Sequence, residues 1–381
     1  MEGFRLFMIK KNKGIEVKNL ISIIYKKGYF FCIMGIIVFM CCITFFYAVI
    51  DPNLFLQSEK GIDGYIERTE EIWNKHTYRR ETLSCVDSVL SYYLMGDVHS
   101  KRVLLGKDKW LFFNSKGDIT DGTLGDYTGN RSYTEKETAE ICNNLESIHN
   151  YFSDKNISYA IIYGPNKSSI YSEKMPSDIS YERISRTDRL FEMISLYGIN
   201  AINPKEALLK NKSRYQTYYK YDTHWNEIGG TIVVNEVMKS WSLEYTELNN
   251  VNIIKKRLEY HTSAKDDLAQ MIGMRELVFD DEEDYIIESD LLDWSELDSL
   301  LEKEELFNLH NDNASYDKTV FIVGDSFRVA MIPTLYEYFK DVYIGSLDEL
   351  TENSIQKVEP DYMIIEVVER DSAKLAEISI R

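Results

Sequence analysis

The sequence predicts an α/β fold in which a parallel β-sheet is covered by helices on both faces. Two observations carry this. Apolar runs at 157–163, 199–202, 319–323, 341–344 and 362–368 alternate with stretches of helical periodicity, and strands buried on both faces read as such runs. Three of them stop at Gly164-Pro165, Asn203-Pro204 and Gly324, the residues that punctuate a strand turning into a loop. With 381 residues, 44% hydrophobic and 28% charged, the chain can build one large domain or two smaller ones.

The elements follow in order. Residues 103–113 read as two short strands around a Gly106-Lys107-Asp108 turn. Residues 134–152 form a helix, with Thr134 as N-cap and Glu137 completing a capping box. After the strand 157–163 come a helix over 181–197, the short strand 199–202 and a helix over 226–241. The strand 319–323 leads into a helix over 327–339, kinked or started late by Pro333, and the strands 341–344 and 362–368 close the chain. Residues 276–317 break the rhythm with 16 acids and one base, Lys303. Calcium binding is one reading of such a run. The spacing does not match an EF-hand loop, and a solvated acidic insertion is expected.

Charge is unevenly spread. Residues 1–28 carry seven bases and two acids, or +5, so the rest carries −23 of a net −18. An acidic domain of this kind repels nucleic acid. Residues 29–50 contain no charge and, as a helix, span ~33 Å, enough for a bilayer core. The aromatic ends (Tyr29, Phe30, Tyr47) and the basic flank favour a span over a buried helix, and no small-x-small site marks a cleaved signal. The basic end stays in the cytoplasm. The expected organisation is a cytoplasmic tail over 1–28, a transmembrane helix over 29–50, a juxtamembrane helical stalk over 51–100 and an extracytoplasmic domain over 101–381: a single-pass protein of the cell membrane. Cys32, Cys41 and Cys42 fill the span. Cys85 and Cys142 lie beyond it, with nothing in their spacing that demands pairing, and no Cys/His cluster suggests a metal.

Two segments carry chemistry. In Val323-Gly324-Asp325-Ser326-Phe327 a buried strand runs through glycine into serine and a helix. This lifts a hydroxyl to the sheet edge at a helix N-terminus, where free N–H groups can hold an oxyanion. An Asp325 or Ser326 helix cap is the competing reading. In Tyr221-Asp222-Thr223-His224-Trp225-Asn226, Asp222 and His224 can face each other in a turn before a helix. The aspartate then accepts from Nδ1 and leaves Nε2 as a base; a capping aspartate beside a packed histidine is the alternative. Of six histidines, only His224 combines an aspartate two residues before it with a tryptophan directly after it. Serine needs such a base to act as a nucleophile.

On these residues the chain resembles the alginate O-acetyltransferase-like (AlgX/AlgJ-type) group of SGNH-hydrolase-like proteins, related to the DHHW family. The matching motifs are Gly106-Lys107-Asp108-Lys109-Trp110-Leu111-Phe112, Pro165-Asn166-Lys167, Asp222-Thr223-His224-Trp225, Asp267-Leu268-Ala269-Gln270-Met271-Ile272-Gly273, Gly324-Asp325-Ser326-Phe327 and Glu366-Val367-Val368-Glu369-Arg370. They span about two thirds of the chain. The Asp-x-His pair precedes the Gly-x-Ser element, the reverse of ordinary SGNH esterases, so the resemblance implies a flavodoxin-like SGNH sheet with circularly permuted motif order. Position 223 is Thr where the DHHW name expects His, which favours the alginate-acetylase pattern.

The resemblance implies Ser326 as nucleophile, His224 as base and Asp222 as its partner. Asn166 is either a donor in the site or a turn residue after Pro165. Trp225 either lines a sugar site or packs, Arg328 is a candidate substrate contact, and Arg370 is a candidate structural ion pair. The implied activity is acetyl transfer to a cell-surface or secreted polysaccharide through an acetyl-serine. No cofactor of its own is implied, and a membrane-bound O-acyltransferase partner would deliver acetyl across the bilayer. Two rivals stand beside it: an esterase using the same triad with water, and a non-catalytic polysaccharide-binding or assembly subunit.

Overall fold

The computed structural model of the protein describes residues 91–117, 121–251, 253–257, 266–274, 283–287, 292, 294–302 and 305–380, with positions 34, 35, 38, 39 and 88 before them. The expected tail, all but four residues of the expected transmembrane helix and most of the expected stalk fall outside the described residues. Among the described residues no helix is long and apolar enough to cross a membrane. The chain divides into two compact units, Met1–Met95 and Gly96–Arg381, and the site lies in the second.

That unit opens with β1 (Val103–Leu105) and β2 (Leu111–Phe113), the expected antiparallel hairpin. Next come α1 (Gly122–Thr128), α2 (Glu135–Asp154), β3 (Ser158–Gly164), α3 (Lys167–Ile170), α4 (Arg186–Ser195), β4 (Ala201–Ile202), α5 (Lys205–Asn211) and α6 (Glu227–Ser240). The pair β5 (Ile253–Arg257) and β6 (Glu283–Ile287) is antiparallel and brackets α7 (Asp267–Met271). The chain ends with α8 (Trp294–Leu301), β7 (Phe307–His310), β8 (Tyr316–Val323), α9 (Ile332–Tyr338), β9 (Phe339–Gly345), α10 (Glu352–Val358) and β10 (Tyr362–Val368). The main sheet has the order β4-β3-β10-β8-β9-β7 and is parallel except for β7.

Side chains alternate across this sheet, as the two-residue strand repeat requires. Ala160, Ile162, Val320, Ile322 and Ile364 pack on one face with α6 residues Ile228, Ile232 and Val233. Tyr159, Ile161, Phe321, Val323, Met363 and Ile365 pack on the other with α2 residues Ile141, Leu145 and Phe152. Helices on both faces explain why these strands lack polar alternation.

Three expected boundaries move, each for a local reason. The helix expected from 181 begins at Arg186, because Ser185 accepts the N–H of Asp188 while the Asp188 carboxylate accepts the N–H of Ser185, a capping box. Ser185→Ala is expected to lower stability by about 1 kcal/mol, read as a shift in the denaturant midpoint at unchanged slope. The helix expected over 327–339 splits into a tight 3₁₀ segment, Ser326–Met331, and α9. Pro333 sits in the first turn of α9, where its missing N–H costs nothing, and Phe339 instead starts β9. Inside the acidic stretch, Phe307–His310 is an edge strand bonded to β9, so this part of the expected insertion belongs to the sheet.

Candidate active site

Three neighbouring parallel strands, β3, β10 and β8, present their carboxyl ends side by side, where open α/β sheets collect functional residues. Asn166 follows β3, Glu369 and Arg370 follow β10, and Ser326 follows β8. The remaining part comes from the loop before α6, where Asn226 caps the helix by accepting the N–H of Gly229. This cap ends the loop and leaves Asp222, Thr223 and His224 in turn geometry.

Asp222, His224 and Ser326 form one continuous line. Asp222 Oδ1 lies 2.6 Å from His224 Nδ1 and also accepts the His224 N–H at 2.8 Å. His224 Nε2 lies 2.7 Å from Ser326 Oγ. Burial would raise Asp222, yet the imidazole beside it brings its carboxyl below the usual range. An ionised carboxylate can only accept, so Nδ1 carries the proton and Nε2 is left to accept from the Ser326 hydroxyl. Burial alone would lower His224, and the Asp222 carboxylate outweighs it, so the imidazole holds its proton more tightly than usual. Ser326 itself is exposed, and its backbone N–H has no acceptor among the described residues.

Two further residues hold the histidine loop. Asp267 accepts from the Thr223 N–H at 2.7 Å and the Thr223 hydroxyl at 2.6 Å, while its own N–H donates to Asp222 Oδ2 at 3.0 Å. Burial and the Asp222 charge raise its carboxyl. Lys167 Nζ donates to the carbonyls of Tyr219, Lys220 and Asp222 at 3.1, 3.1 and 2.6 Å. Its cation lies over the Trp110 and Phe112 rings at 5.7 and 5.2 Å. The Gly106–Phe112 turn thus builds an aromatic wall for the lysine that fastens the loop. Neither Asp267 nor Lys167 stands out as a site residue by sequence reasoning, although both lie in the motifs quoted for the resemblance. Asp222, His224 and Asp267 present ligand atoms within 4.8 Å of one another, as a metal would need. The N–H and O–H donors bound to these carboxylates would have to be displaced first, so the cluster is a hydrogen-bonded orienting network.

The other sequence candidates divide. Asn166 is buried at the end of β3. Its N–H donates to Glu369 Oε2 at 2.7 Å, and among the described residues neither side-chain amide atom has a partner. With Phe113, Ser168, Thr223 and Arg370 it lines a cavity of about 10 Å³, room for one water-sized group. Trp225 must be corrected as a sugar-site candidate. It is 0% exposed, and its Nε1 donates to the Phe327 carbonyl at 2.7 Å. Its ring stands against that of Phe327 at 5.1 Å, so it supports the Ser326 segment from behind and has no face to offer a sugar. Arg328 Nη1 donates to the carbonyls of Gly324 and Asp325 at 2.8 and 2.6 Å and thereby braces the turn. Arg370 makes no ion pair among the described residues. Its guanidinium lies 5.4 Å from both the Phe113 and Phe327 ring centres, next to the reactive pair.

Comparison with known proteins agrees with this picture. The model of the family described as SGNH hydrolase-like domain, acetyltransferase AlgX, matches residues 103–329. Among solved structures, PatB1 of Bacillus cereus superposes with a TM-score of 0.50 at 16% identity, covering 73% of this chain and 99% of that one. A DHHW family protein of Eubacterium siraeum gives 0.52 at 13%, covering 74% and 97%. The O-acetyltransferase domain of Pseudomonas putida AlgJ gives 0.44 at 16%, covering 73% and 93%. At these identities the first two likenesses establish a shared fold. No curated protein sequence matches the chain.

Proposed function

Because the chain belongs to the family of the SGNH hydrolase-like acetyltransferase domain of AlgX, we propose that it is an O-acetyltransferase that carries acetyl on Ser326 to a hydroxyl of a cell-surface or secreted polysaccharide. The observation that carries this reading is the unbroken line from Asp222 through His224 to an exposed Ser326 hydroxyl. In the first half, Ser326 Oγ bonds to the acetyl carbonyl carbon as its proton passes to Nε2. The tetrahedral oxyanion faces the free Ser326 N–H, and the leaving group departs with the proton from His224. In the second half a sugar hydroxyl attacks the acetyl-serine, Nε2 takes the hydroxyl proton, and that proton returns to Ser326 Oγ as it is released. Asp222 keeps Nδ1 protonated through both halves.

The uncharged run 29–50 behind a basic tail supports a membrane anchor with the domain outside the cytoplasm. An anchor keeps Ser326 near a membrane-bound O-acyltransferase that hands acetyl through the bilayer. The order of Asp222-x-His224 before Ser326 supports a circularly permuted version of the SGNH arrangement.

The test is capture of the intermediate. The purified full chain, given an activated acetyl ester, is expected to gain one acetyl group on the peptide containing Ser326 and to lose it on addition of a polysaccharide acceptor; loss to water alone at the same rate would favour the esterase. The pH dependence follows from the imidazole. His224 must be neutral to accept the serine proton, and its proton affinity is raised. The acylation rate is therefore expected to rise with pH through a midpoint above the ordinary histidine value near 6.5. In Asp222→Asn the attraction is gone and burial remains, so the midpoint moves down while the rate falls by about 10⁴-fold. A midpoint unmoved by this change counts against the pairing.

A further inference from the structure

The segment Glu366-Val367-Val368-Glu369-Arg370 at the end of β10 sends one acid to the loop after β3 and one to the loop after β8. Glu369 Oε2 accepts the Asn166 N–H at 2.7 Å and the Ser169 hydroxyl at 3.1 Å. Glu366 Oε2 accepts the Asp325 N–H at 3.1 Å, directly beneath the turn that presents Ser326. A Cβ on Gly324 would come within 2.7 Å of Glu366 Oε2 and 2.9 Å of the Glu366 carbonyl, so only glycine lets the turn rest on this carboxyl.

Glu366 is 0% exposed, and among the described residues it has no cation partner within ion-pair distance and no N–H or O–H donor at Oε1. A lone buried carboxylate neutralises rather than persists. Burial and the neighbouring Asp325 carboxylate hold Glu366 well above the usual range, with the Arg328 guanidinium too weak to reverse them. Asp325 Oδ1 accepts the Phe327 N–H at 2.9 Å and Oδ2 the Val368 N–H at 2.7 Å, one bond to each oxygen, which leaves the carboxylate able to accept another from the Glu366 side chain in hydrogen-bond contact with it. A charge on Glu366 as well would set two carboxylates against each other under the nucleophile.

We propose that Glu366 is a positioning residue that works as an uncharged carboxylic acid, accepting the Asp325 N–H and donating its proton to the Asp325 carboxylate, so that the Ser326 turn is clamped to the end of β10. It deepens the acyl-transfer reading and depends on that reading for its catalytic meaning. Glutamine has the same shape, accepts through its carbonyl, donates through its amide and is never charged; leucine fills the space and does neither.

The experiment compares the purified full-length wild type with E366Q and E366L. It follows the rate of Ser326 modification by a fluorophosphonate, the unfolding midpoint, and the infrared C=O band of carboxylic acids at neutral pH. E366Q is expected to label near the wild-type rate. E366L should label about 10- to 100-fold more slowly at an unchanged half-saturating concentration, the penalty of a nucleophile shifted by about 1 Å. The wild type should show a protonated-carboxyl band that E366Q lacks. Equal impairment of E366Q and E366L, wild-type labelling by E366L, or no band lost in E366Q would each overturn the clamp. If the wild type itself does not label at Ser326, the acyl-transfer reading fails, and the infrared band still decides whether Glu366 holds the proton. If E366L does not fold, the E366Q rate and the band remain decisive.

Discussion

Ser326→Ala is expected to lower acetyl transfer by about 10⁴-fold or more while leaving the unfolding midpoint almost unchanged. The two halves of this result have one origin. Ser326 is exposed and, among the described residues, the only hydrogen bond of its hydroxyl runs to His224 Nε2, so its removal opens no cavity and strands no buried partner. Chemistry is lost because, among the described residues, no other hydroxyl meets His224 Nε2. Adding His224→Ala to Ser326→Ala should cost little further activity, since groups that act as a unit are not additive. The measurement is acetyl ester formed on an acceptor polysaccharide by each purified variant. Transfer by Ser326→Ala within tenfold of wild type would rule out Ser326 as the nucleophile.

Gly230→Ala should damage both stability and rate from a position that touches no substrate. Gly230 lies in α6, where the helix meets the 3₁₀ segment after Ser326. A Cβ there would sit 2.0 Å from the Ala330 carbonyl oxygen and 2.9 Å from the Met331 nitrogen. These are backbone atoms, so no side-chain rotation relieves the contact, and helix and nucleophile segment must part. Alanine favours the helix by up to ~1 kcal/mol, and overpacking typically costs ~1–3 kcal/mol or more. With backbone against backbone at this distance the upper end applies, and a net loss of about 2 kcal/mol is expected. Because His224 precedes α6 and Ser326 begins the facing segment, the same separation stretches the Nε2 to Oγ contact. A fall in kcat of about 100-fold is expected with little change in KM. Thermal unfolding and steady-state kinetics on one preparation test this, and a variant as stable and fast as wild type would show that the two segments can slide apart freely.

Much of the fold was legible because the local signals agree with the global ones. The run 362–368 is apolar except for Glu366, since β10 lies at the centre of the sheet with a core on either side. Thr134 and Glu137 announce α2 because both halves of a capping box lie within one turn. Failures came where a tertiary contact overrode a local pattern. Phe339 continues a helical stretch in sequence, yet it pairs with Tyr316 in the sheet. Phe307–His310 lies in an acidic stretch but finds an open sheet edge.

The site divides along the same line. The chemical types and their local settings are written within a few residues: a serine after a strand-ending glycine, and an aspartate two residues before a histidine at a helix start. The packed fold is what brings the histidine Nε2 to the serine Oγ across 102 residues. It also turns Trp225 inward, ties down the histidine loop through Lys167, and sets Glu366 beneath the Ser326 turn with no ion-pair cation among the described residues. The reason is that strand and cap signals are written within a few residues, whereas burial and partnership are set by which strand ends the sheet places side by side.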